Sequence, residues 1–148
     1  MKAQVSTEYL VILAVVLVIA LVVVYLVSQG TSLGGGIVDS QSQAYWKGVG
    51  PLAINNFRAS GTGLQLEIQN NAQETVTMTA LSGTGLTTYT TSTTFAPGQT
   101  NTVTVTLAAT CGAAGTRYSY GNVTFTFNQG QVNGKTFVGQ RPVSGTCS

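Results

Sequence analysis

Histidine is absent from this 148-residue chain, and charge is scarce: 7% of residues are charged, against about 25% in ordinary soluble proteins. The first absence removes the commonest general base and a common metal ligand. The second argues against nucleic acid as a partner, because a net charge of +2 with no basic cluster leaves no electrostatic footprint. Beyond the N-terminal segment the acids are Asp39, Glu67 and Glu74. Glu67 falls in a strand-like stretch and Glu74 in the turn after it, with no apolar pocket signalled beside either, so both read as solvated surface charges. Cys111 and Cys147 lack zinc spacing, no phosphate-binding glycine motif is present, and the Gly-Thr-Gly segments read as turns. No catalytic, cofactor or metal site is expected, and the chain reads as a non-enzyme.

What the chain does have is an apolar run. Leu10 to Val27 contains no charge, Gly or Pro and carries only the Tyr25 hydroxyl. As a helix it spans about 27 Å, close to the hydrocarbon thickness of a bilayer. It is longer than the apolar part of a cleaved secretory signal, and Ser28-Gln29-Gly30 makes a poor cleavage site. The early positive charge is Lys2 and the next is Lys47, which places the N-terminus in the cytoplasm and residues 30–148 outside. Glu8 sits just before the run, where an ordinary anchor needs no carboxylate.

Lys2-Ala3-Gln4-Val5-Ser6-Thr7-Glu8-Tyr9-Leu10, followed directly by the Val/Ile/Leu run, resembles the class III signal peptide of archaeal type IV pilin-like proteins. The resemblance covers about 25 residues. The later layout of glycine-rich break, Tyr-Trp segment, Thr-rich strands and two late cysteines is similar to the outer domain of such pilins. It implies a leader of residues 1–3 cut between Ala3 and Gln4 by a prepilin peptidase, with the helix of residues 4–29 retained. It further implies a helical homopolymer assembled by a cytoplasmic ATPase and a membrane platform protein. An archaellum subunit is a further filament option, but the Gln-Val-Ser-Thr-Glu-Tyr start points to the pilin group.

Residues 30–50 read as a hinge and a short helical segment. Gly34-Gly35-Gly36 each disfavour helix by about 1 kcal/mol relative to Ala, which predicts a break. Ile37, Gln41, Ala44 and Tyr45 then fall near helical spacing up to Trp46. Tyr45 and Trp46 are expected to pack under the outer domain rather than to anchor at the membrane interface.

From Pro51 the period changes to two. Leu52–Ile54, Leu64–Ile68, Val76–Ala80, Val103–Leu107 and Val123–Phe127 alternate apolar with polar. Fifteen of the 23 threonines lie between Thr75 and Thr110, so hydroxyls supply the polarity that charge does not. Thr87–Thr94 is an edge strand or a loop. Asn133-Gly134 is expected to turn the last hairpin, from Tyr118–Asn128 back along Thr136–Arg141. The fold class is therefore α+β: a long N-terminal apolar helix, then residues 51–148 as an immunoglobulin-like antiparallel β-sandwich of about seven strands.

In an oxidising compartment the even pair Cys111 and Cys147 reads as a disulfide that pins the tail. Asn122-Val123-Thr124 is an N-glycosylation sequon. Glu8 and Tyr9 are the candidate assembly residues: cleavage before Gln4 would create an α-amino group four residues from Glu8, able to pair with it in the same or a neighbouring subunit. The expected function is a pilin, a membrane precursor that polymerises into an extracellular adhesive filament. The alternative is a monomeric membrane-anchored binding module, with carbohydrate stacked on Tyr118, Tyr120 or Trp46.

Overall fold

Ten of the eighteen residues from Leu10 to Val27 are Val or Ile, which are poor helix formers in water. A run of this composition is helical in the structure all the same, as a segment in lipid would have to be, where every backbone polar group must be satisfied within the segment. They lie in helix α1, Lys2–Gly48, of the computed structural model, which describes residues 2–148 and, for 2–5 and 29–35, the backbone alone. The chain divides into two units, one ending at Ile37 and the other running Val38–Ser148. The described side chains of the first are exposed throughout, Leu10, Ile19 and Val27 by 59%, 58% and 65%.

The predicted break at the glycines is not in the backbone, because α1 is helical through residues 30–36. Glycine propensity is a weak prior, and a helix already nucleated on both sides extends with one bond per residue fixed. The second short helix expected from Ile37 to Trp46 is accordingly the end of α1, and from Val38 onward it belongs to the head unit.

The head contains nine strands: β1 Leu52–Ser60, β2 Gly63–Asn70, β3 Val76–Ser82, β4 Tyr89–Phe95, β5 Thr100–Thr106, β6 Arg117–Tyr120, β7 Thr124–Gln129, β8 Val132–Val138 and β9 Val143–Thr146. A three-stranded sheet has the order β1-β2-β5 and a four-stranded sheet the order β4-β3-β7-β8. All pairings are antiparallel. These seven strands are the immunoglobulin-like sandwich. β6 and β9 form an additional two-stranded ribbon.

The alternation places Leu64, Leu66 and Ile68 of β2, with Val103 and Val105 of β5, on the buried face of the smaller sheet. Val76, Met78 and Leu81 of β3 meet them with Phe125 and Phe127 of β7. The opposite face of the larger sheet is hydroxyl-rich. Thr77 and Thr94 Oγ1 lie 3.2 Å apart across β3 and β4, and Thr79 Oγ1 donates to the Thr126 carbonyl at 3.0 Å. The Thr-rich stretch is edge strand β4.

Two corrections concern the end of the chain. The last hairpin turns at Gly130-Gln131 instead of Asn133-Gly134, with Gln129 opposite Val132 and Phe125 opposite Phe137. A turn at Asn133-Gly134 would have paired Phe125 with Pro142 and shifted Phe137 out of register with its apolar partner. The two residues instead form a bulge in β8, where Gly134 has φ +68° and its N–H donates to Asn128 Oδ1 at 2.9 Å. The span Tyr118–Asn128 is likewise not one strand. It breaks at Asn122, whose φ of +50° ends β6's direction, so β6 and β7 join different sheets.

Candidate assembly helix and head latch

The N-terminal site is built on the first turns of α1. The side chains of Ala3 and Gln4, the expected cleavage pair, lie outside the described ones, although their backbone is helical. Glu8 and Tyr9 are exposed, Tyr9 by 67%. Glu8 borders a shallow hollow of about 350 Å³ with Thr7, Val11 and Ile12, and among the described residues its carboxylate has no hydrogen-bond or ion-pair partner. One turn further, Ala14 opens a notch of about 330 Å³ between Val11, Val15, Val18 and Ile19. These positions follow i, i+3, i+4, i+7, i+8 spacing, the geometry by which a ridge of another helix seats in a groove. Ser6–Ser28 is long and apolar enough to cross a membrane, with none of it buried in the protein's own interior. Such a segment is compatible with membrane anchoring or a signal sequence.

In the head, the end of α1 is held by Tyr45 and Trp46, packed under the sandwich as expected, and by polar contacts that sequence reasoning missed. Asp39, Ser42 and Trp46 recur at i, i+3, i+7 and so share one face of the helix. Trp46 is fully buried, edge-on to Phe125 and Phe137 with ring centroids 6.3 and 6.5 Å away. Its indole N–H donates to the Pro142 carbonyl at 3.4 Å. Ser42 Oγ donates to the same carbonyl at 2.7 Å and accepts from Ser144 N–H at 3.3 Å. Arg117 of β6 grips Asp39 with two guanidinium N–H groups at 2.7 and 3.3 Å, and Arg141 donates to Gln41 Oε1 at 3.1 Å. The Tyr45 hydroxyl accepts from Gln140 N–H at 2.8 Å. Gly139 permits the indole's approach, since a Cβ there would fall 2.1 Å from Trp46. A lone glycine after a strand was the available signal, as such glycines often mark close approach. Its partner lies too far away in sequence to be read.

A disulfide joins Cys111 to Cys147 with the Cα atoms 5.8 Å apart. Cys111 N–H donates to the Gly61 carbonyl in the β1–β2 turn, and Cys147 N–H to that of Thr116 just before β6. The bridge thus fixes the residue after β9 to the sandwich. Ser144 Oγ is buried beside the latch without a hydrogen-bond partner among the described residues.

The aromatic platforms considered for sugar are mostly withdrawn from the surface. Trp46 is core and Tyr118 only 8% exposed, stacked on Tyr120 at 5.2 Å. Burial, Tyr120 and Asp39, in that order, push the Tyr118 hydroxyl up to about 12. Burial also raises that of Tyr120. Asn122 of the sequon is exposed, its side-chain amide 3.5 Å from Thr84 Oγ1, while Thr124 Oγ1 donates to the Asn122 carbonyl at 3.0 Å. Among the described residues no three of His, Cys, Asp and Glu come together as a metal site. No protein-family model, curated protein or solved structure matches the chain.

Proposed function

We propose that the chain is a structural subunit of an archaeal type IV-like pilus. The observation that carries this reading is a helix apolar on every face over Leu10–Val27, preceded within the Gln4–Tyr9 pattern by an exposed Glu8 that has no partner among the described residues. A simple anchor uses the apolar surface but has no use for the acid. A polymer uses both: apolar helices pack in the filament core, and Glu8 pairs with the α-amino group created by cleavage before Gln4. The sandwich heads form the outer sheath, and their low charge lets many copies pack without strong mutual repulsion.

Transfer from lipid to a bundle of similar helices gives little hydrophobic gain, because lipid tails are as apolar as Leu and Val. Assembly therefore draws on helix packing at notches such as Ala14, on head contacts, and on work from the ATPase and platform protein implied by the resemblance. The precursor sits in the cytoplasmic membrane with its N-terminus inside. The assembled filament is extracellular and adhesive.

The test is electron microscopy of producing cells, combined with the N-terminal mass of the extracted protein. Filaments built from a chain beginning at Gln4 are expected. A membrane-extracted monomer beginning at Met1, with no filament containing the chain, would overturn the reading in favour of an anchored module.

A further inference from the structure

The disulfide and the helix latch are far apart in sequence but share two short strands. β9 supplies Ser144 and follows directly on Pro142, both of which hold Ser42, while β6 supplies Arg117, which holds Asp39. The ribbon is four residues long on each side, pairing Arg117 with Thr146 and Tyr120 with Val143. Two strands of that length are marginal alone in water. β9 brings a single apolar side chain, Val143, to the core, so burial alone holds it weakly. The tie is Cys147, the residue after β9, bonded to Cys111, whose backbone is itself fixed at Gly61. The backbone bonds around it are Cys147 N–H to the Thr116 carbonyl, Gly115 N–H to the Cys147 carbonyl and Ser148 N–H to that of Ala59.

We infer that the Cys111–Cys147 disulfide clamps, through β9 and β6, the Asp39 and Ser42 contacts of the latch, so that reduction by a dithiol loosens Val38–Ser42 while Trp46 stays buried and both main sheets persist. In that step a dithiol thiolate attacks the S–S bond and forms a mixed disulfide. The second thiol then displaces it. Two electrons pass to the protein, Cys111 and Cys147 leave as protonated thiols, and the reagent becomes a cyclic disulfide. The sheets persist because the core residues of β2, β3, β5 and β7 lie on strands paired on both sides or facing a full sheet, none of which passes through the bridge.

The coupling must also run backwards. Whatever loosens the latch makes the disulfide easier to reduce by the same factor, because the two share one free energy. Ser42→Ala removes the hydroxyl that donates to Pro142 and accepts from Ser144, without touching either cysteine.

The experiment uses the full chain in detergent micelles and follows amide hydrogen exchange before and after treatment with dithiothreitol. Exchange is expected to speed up together in Val38–Ser42 and Val143–Thr146, by about fivefold or more, with Leu64–Ile68 and Phe125–Phe127 unchanged. In parallel, the dithiothreitol concentration at half reduction is expected to be lower for Ser42→Ala than for the parent. Loosening of Val143–Thr146 with Val38–Ser42 still protected would overturn the inference, as would loss of protection across all strands at once. An unchanged reduction midpoint in Ser42→Ala would overturn it from the other side.

Discussion

The two units bury apolar side chains in opposite ways. In the first, Val11 to Val27 point outward around the whole helix, and no described side chain has an interior to occupy. In the second, Trp46, Phe95, Phe125, Leu64, Leu66 and Ile68 are fully enclosed and the polarity outside comes from hydroxyls. The head contains its own solvent-free core, whereas the described side chains of the rod are enclosed by nothing in the chain itself. A substitution should therefore disturb one unit and spare the other.

The sharpest test is Trp46→Ala. It should cost the head about 3–5 kcal/mol, seen as a fall of about 10 °C or more in its thermal midpoint, with membrane association of the rod unchanged. Gly139→Val should act in the same direction, since its side chain would occupy the indole's place. Val18→Arg is the converse. A charge at the middle of a spanning helix costs about 3 kcal/mol on insertion, so membrane recovery should fall while the head's midpoint stays put. A shift in the head's midpoint with Val18→Arg would break the comparison.

Smaller effects sharpen it within the head. The Tyr118 hydroxyl ionises near 12 in the folded chain, held neutral chiefly by burial, and near 10 when unfolded. The unfolded chain therefore loses its proton first, and this stabilising contribution is complete below pH 10 and lost as pH rises through 12. Melting curves from pH 9 to 12 should show the decline, and Tyr118→Phe should flatten it. The smallest effect is expected of Asp39→Asn. Its partner Arg117 is 45% exposed, so the loss should be about 1 kcal/mol or less and diminish further with added salt.

The parts of this contrast that were legible in the sequence are those with a period. Leu64–Ile68 and Val103–Leu107 declare a buried face by alternation, and Leu10–Val27 declares its length. Arg117–Tyr120 and Val143–Thr146 are too short to show any period, so the ribbon went unread. Asn133-Gly134 is a strong local turn signal, yet the Phe125–Phe137 pair sets the register, and a long-range apolar match outweighs a dipeptide preference. The glycines of α1 show the same ordering, with local propensity yielding to what flanks it. Of the candidate site, the cysteine pair and Glu8 could be picked out by residue type and position. Asp39, Ser42 and Gly139 could not, since their roles depend on partners 78 to 102 residues away or on the indole facing them.

The hydroxyl-covered sheet faces have a consequence for the water around the head. Only three carboxylate side chains, Asp39, Glu67 and Glu74, can take up protons as a neutral medium turns acid, and no imidazole joins them. Threonine keeps its hydrogen bonds at any such acidity, and a neutral hydroxyl attracts no ion cloud for brine to compress. The head's wetting is thereby largely uncoupled from the acidity and salinity of its surroundings.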